Sequence, residues 1–225
     1  MNENTLRWLR LMQLADSALP IGALAHSYGL EMLVAEGSLH VGNLGNFLHD
    51  YLIETGHLEA NYCQAAHHCY HESLIVADWL KVNVELDALK LARESREASS
   101  TLGRRFLQLL EKLEPHPAFD AAIRACRERA IGIHYCTAFG LACGVIGVDA
   151  ESGAVAYLQQ SIAGLVSACQ RLLPLGQTEA SRLLWDIKPA IVAAVRPEGN
   201  PFVFTAALET ASMRHPDLTT RLFIS

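Results

Sequence analysis

The 225-residue sequence predicts an all-α protein, a single-domain bundle of about nine or ten helices. Three observations carry that prediction. Apolar residues recur at three- and four-residue intervals along most of the chain, and the period-two alternation of strands is nearly absent. Prolines and glycines fall between these periodic segments and punctuate them. Hydrophobic residues make up 51% of the chain and charged ones only 19%, enough for a substantial core with apolar surface left over for other subunits or partners.

In chain order, Leu6, Leu9, Met12 and Leu14 suit a first helix that stops before a turn at 17–22, where Pro20 and Gly22 interrupt it. A second helix is expected from about residue 26 to Gly37. Asn43 can cap a third, with Leu44, Phe47, Leu48 and Tyr51 inward, and a fourth is expected over about 57–72. After an apolar turn, LIVADWL, residues 85–113 read as one long amphipathic stretch. The prolines of EPHP, 114–117, end it, because each removes a backbone donor and clashes with the preceding turn. A helix over about 118–148 follows, then a turn at 149–153, a core helix over about 154–173, and a helix from Thr178 that Pro189 kinks or ends. A last helix is expected at 202–212. The N-terminus and a tail over about 213–225 are expected to be flexible, as chain ends commonly are.

Composition excludes several functions. A net charge of -6 and a pI near 5.9 supply no basic surface for nucleic acid. Cys63, Cys69, Cys126, Cys136, Cys143 and Cys169 form no CxxC pair, which suits a reduced, cytoplasmic chain. Gln13 and Asp16 interrupt the N-terminal apolar run, so no export signal is expected. Residues 130–148 carry no formal charge and are long enough to be weighed as a membrane span. His134, Tyr135, Thr137 and the glycines favour a central buried helix instead, with no membrane partner.

Three motifs suggest chemistry. AHSYG places Ser27 in a pattern like that of a hydrolase nucleophile, but the strand and sheet such an elbow requires are not predicted, so Ser27 reads as a turn or helix-start residue. CQAAHHCYHE repeats Cys63, His67 and His71 every fourth residue. On a continuous helix these would line one face and could hold a transient nickel or zinc ion, although polar histidines at an interface are the preferred reading. Gly132, Cys136, Gly140 and Gly144 match no phosphate loop; small residues at this spacing let helices approach closely. No resident cofactor or catalytic residue is expected. Arg93, Arg96, Arg104 and Arg105 interleave with Glu94 and Glu97 on a solvated or partner-facing side.

Five stretches together resemble the UreF family of urease accessory proteins: LMQLADSALPIGALAHSYGLE, LARESREASSTLGRRFL, HYCTAFGLACGVIG, YLQQSIAGLVSACQRLLPLGQTEASRLL and the terminal TRLFIS. The resemblance implies an all-helical, dimeric, non-enzymatic scaffold. It would bridge UreD, called UreH in some organisms, and the GTPase UreG during nickel delivery to apo-urease, and would modulate the GTPase. It further implies that Arg221, Leu222 and Phe223 contact UreD, although Ile224 stands where the family often has a basic residue. Pro20, Gly22, His26, Tyr28 and Glu31 would form part of the family's protein-binding surface, with Gly176 and Gln177 of PLGQT a further contact.

Overall fold

A computed structural model of the chain describes residues 2–196, 206–215, 218 and 221–224. The fold is all-α, as predicted. Its helices are α1 Glu3–Leu14, α2 Leu30–Ala35, α3 Leu44–Tyr51, α4 His57–His68, α5 Val76–Leu89, α6 Arg93–Leu113, α7 Pro117–Glu128, α8 Tyr135–Ile146, α9 Ala150–Leu172, α10 Gln177–Asp186, α11 Lys188–Val195 and α12 Ala206–Arg214. A π turn, Leu52–Gly56, makes α3 and α4 one continuous rod, and α10 meets α11 at Ile187, so among the described residues the twelve segments form ten rods. The expected start of the last helix lies outside the described residues.

Helix α8 is the hub, and its sequence explains why. All of its residues except Gly144 and Val145 are buried, so it presents apolar surface in every direction and must be surrounded. It packs on α4, α6 and α9. Two glycines permit that closeness. A Cβ on Gly140 would lie 1.9 Å from the carbonyl oxygen of Cys63 on α4, and one on Gly103 of α6 would lie 2.1 Å from that of Ile133. Phe106, Phe139, Tyr135 and Tyr157 then join α6, α8 and α9 through stacked and edge-on rings.

Two groups of buried polar side chains inside the bundle are paired. Lys90, 5% exposed, places Nζ 2.6 Å from Glu59 Oε1, and Tyr157 donates its hydroxyl to Glu59 Oε2 at 2.9 Å. Asn83 of α5 accepts from the Thr137 hydroxyl at 2.7 Å and from the His134 backbone N–H at 3.0 Å, fixing the start of α8.

Several boundaries differ from expectation, each for a local reason. The left-handed backbone of Tyr28 (φ 53°) and Gly29 (φ 90°) delays α2 to Leu30. The long stretch 85–113 breaks at Lys90, whose side chain turns in to Glu59 while its carbonyl accepts from Arg96 Nη1 at 2.8 Å. The expected helix over 118–148 divides at the left-handed Ala130 (φ 54°), leaving 131–134 between α7 and α8. In α1, Leu11 and Leu14 face the core, whereas Leu9 and Met12 are 60% and 68% exposed. Among the described residues no helix is long and apolar enough to cross a membrane.

Candidate partner-binding surface

The segment between α1 and α2 is shaped by its own backbone. Asp16 Oδ1 accepts from the Ala18 N–H at 2.8 Å, closing the turn after α1. Gly22 (φ 90°) then starts the 3-10 turn Ala23–Ala25. Arg105 of α6 pins this turn by donating Nη1 to the Ile21 carbonyl at 3.3 Å. Pro20 and Gly22 remain exposed, and His26 and Tyr28 are half-buried with rings 5.9 Å apart. Burial, and secondarily the charge of Arg105, lowers the pKa of His26. At Gly29 the chain also meets α12, where a Cβ would lie 3.0 Å from the Ser212 nitrogen.

Ser27 is fully buried, and among the described residues its hydroxyl has no hydrogen-bond partner. It lacks both a base and access, so it cannot serve as a nucleophile in this arrangement.

Glu31 ties this segment to the end of the chain. Its carboxylate accepts from the Leu222 N–H at 2.6 Å and the Phe223 N–H at 3.2 Å, and the Ile224 N–H donates to the Ala25 carbonyl at 2.9 Å. Phe223 is 4% exposed, and the Arg171 guanidinium lies 4.2 Å from its ring centroid. The tail, expected as a loose arm, is therefore clasped at these residues, while Arg221 and Leu222 stay exposed. Burial alone would raise the pKa of Glu31; the two N–H groups and His215 outweigh it and hold the carboxyl below its usual range.

His215, wholly buried at the end of α12, lies between two carboxylates, with Nε2 3.1 Å from Glu31 Oε2 and Nδ1 3.1 Å from Glu94 Oε2. Beside it Arg214 pairs with Glu36. Sequence reasoning missed Glu94, His215 and Arg171. Their partners stand between 52 and 184 positions away, beyond any periodic signal. Gly176 and Gln177 are at the exposed start of α10, and the structure brings Arg171 of the preceding helix, rather than these two, to Phe223.

Beneath this surface is a cavity of about 100 Å³ lined by His26, Tyr28, Glu59, Lys90, Tyr135 and Tyr157 among others. Burial raises the pKa of its tyrosines and keeps them as neutral phenols. All six cysteines are free and buried; burial pushes Cys69 up to about 11 and Cys169 up to about 12, so neither is a ready thiolate.

The Cys63, His67, His71 face requires correction. Helix α4 ends at His68, and His71 lies on the two-residue strand Tyr70–His71, paired with Ser73–Leu74 across the left-handed Glu72 (φ 54°). Cys63 is buried at the α8 contact and His67 Nε2 lies 2.8 Å from the Val148 carbonyl. Among the described residues no three His, Cys, Asp or Glu side chains are gathered so as to hold a metal ion.

Comparison with known proteins identifies the chain's relatives. The family model for UreF matches residues 40–188. A urease accessory protein UreF from Picosynechococcus sp. is 31% identical, over 98% of this chain and 100% of its own. One from Nostoc sp. is 32% identical, over 97% and 96% respectively, and one from Actinobacillus pleuropneumoniae is 28% identical, over 96% and 97%.

Proposed function

The chain belongs to the UreF family, and from that premise we propose that it is a urease maturation factor, itself not an enzyme. It acts as a homodimeric cytoplasmic scaffold that brings UreD (UreH) and the GTPase UreG together for nickel insertion into apo-urease, and it modulates the GTPase. The observation that carries the reading is the clasp. A single buried carboxylate, Glu31, joins the DSALPIG–HSYGLE segment to the terminal Leu222 and Phe223, so two motifs at opposite ends of the chain form one surface. On that surface Pro20, Gly22, Arg221 and Leu222 are exposed, while Phe223 and Glu31 are buried in the clasp. Anchors held in place before binding lose less conformational entropy on association than a loose arm would.

Size-exclusion chromatography with light scattering, on the chain alone and with UreD and UreG, tests the proposal. A dimer that takes up both partners is expected, and Glu31→Gln and deletion of 221–225 should each weaken UreD uptake. A chain that binds neither partner, with urease fully nickel-loaded in its absence, would end this reading.

A further inference from the structure

Helix α6 carries a second feature beside that surface. Arg104 and Arg105 are exposed, Arg105 reaching the Ile21 carbonyl, with Ser100 and Gln108 one turn to either side of Arg104. Together with Arg127 of α7 and the 130–133 connection they line a recess of about 570 Å³. Its lining contains no Asp or Glu. The neighbouring Arg93, Arg96 and Arg124 pair with Glu97, Asp87 and Asp120, whereas among the described residues neither Arg104 nor Arg127 has a carboxylate within ion-pair distance. Asp87, at the edge near Gly132, is already engaged by Arg96 at 3.9 Å and lies 3.3 Å from His134. Among the described residues two like charges, Arg104 and Arg127, thus gather without counter-charge, beside an Arg105 that donates to the Ile21 carbonyl, on a chain whose net charge is -6.

We propose that this recess docks an acidic segment of a partner protein. The inference rests on the reading that the chain works by holding other proteins. Charge complementarity identifies the ligand as anionic, because a guanidinium fork matches a carboxylate in geometry as well as charge. The surroundings identify the source. The arginines are exposed, and Ile123, Ile131 and Ile133 share the lining with them. A small free oxyanion is held by convergent, buried donors; exposed arginines mixed with isoleucines have the composition of a protein interface. The recess is also continuous with the surface described above, since Arg105 reaches across to the Ile21 carbonyl.

The test titrates the full chain with three probes: a short peptide alternating Glu and Leu, the same peptide with Gln for Glu, and inorganic phosphate. Affinity is read by fluorescence anisotropy of the labelled peptides and location by the NMR signals of the arginine side chains. The acidic peptide is expected to bind and to shift Arg104 and Arg127. The double variant Arg104→Glu, Arg127→Glu should lose about tenfold in affinity, as two exposed charge contacts together imply. Trp185→Ala, outside the recess, should lose none.

Equal binding of the Gln peptide, unchanged affinity in the double variant, or phosphate shifting the same arginines as strongly as the peptide would each overturn the proposal, the last by assigning the site to a free anion. If charge reversal prevents folding, Arg104→Gln with Arg127→Gln supplies the same comparison. A wild-type chain that assembles with UreD and UreG but does not distinguish the peptides loses only the recess; one that fails to assemble loses the broader function as well.

Discussion

At Gly140 two helices meet with no room for a side chain, whereas at Glu31 a chain end is held by one carboxylate. The first contact is a matter of volume, because the α4 backbone occupies the place a Cβ would take. The second is a matter of charge, because Leu222 and Phe223 are held through their N–H groups and His215 buttresses the acceptor. The difference teaches that the bundle and its partner-facing surface respond to different perturbations. Steric change should break the centre, and loss of charge should release the end.

The largest effect is expected from Gly140→Val. With the Cys63 oxygen 1.9 Å from the new Cβ, α4 and α8 must separate, and a loss of about 3 kcal/mol or more is expected in urea unfolding. Near wild-type stability would show that the centre yields and that the contrast is false.

Acidification should separate the regions in pH. His134, buried and then further disfavoured as a cation by Lys90 and Arg96, has its pKa lowered to about 3 from 6.5, and His26 and His67 are lowered as well. Below pH 6.5 the unfolded chain takes up these protons before the folded one, so global stability is full above 6.5 and declines as pH falls toward 3. The contribution of Glu31 has the carboxylate sign. It is present above the unfolded value of 4.5 and lost as pH falls through the lower folded one. Thermal melts should therefore weaken before the amide protection contributed by Glu31 at Leu222 and Phe223 does. A clasp that opens first, near pH 6, would reverse that order.

Glu31→Gln should cost about 2 kcal/mol, since it removes a charged acceptor from two N–H groups and from His215. Hydrogen exchange at Leu222 and Phe223 should accelerate with that change. Unchanged exchange would mean that Phe223 packing under Arg171 holds the tail without the charge. The smallest effect belongs to Trp185→Ala: this ring is 72% exposed, and stability should stay within about 0.5 kcal/mol of wild type. A larger loss would place a structural role on a face that the bundle leaves open.

Much of the bundle was legible in the sequence. Helix α8 announced itself as central because nearly every position is apolar or small, and the Gly140–Gly144 spacing anticipated a close helix contact, though not that α4 would make it. The α7–α8 break was not legible, because Ala130 is an ordinary helix former whose left-handed backbone is imposed by its surroundings. Of the surface, the turn and the tail could each be named from motif resemblance. Their junction could not, since Glu31 and Leu222 are separated by 191 positions.

Periodicity, Pro and Gly punctuation and apolar content determined the helical class and most of the rods, because helix formation and amphipathicity act over a few residues and leave a local trace. Tertiary structure alone decided that His71 leaves the Cys63–His67 face, that Lys90 turns inward, and that the chain end closes on Glu31. Each of these depends on where a distant backbone donor, carboxylate or ring comes to lie, and only the packed core sets those distances.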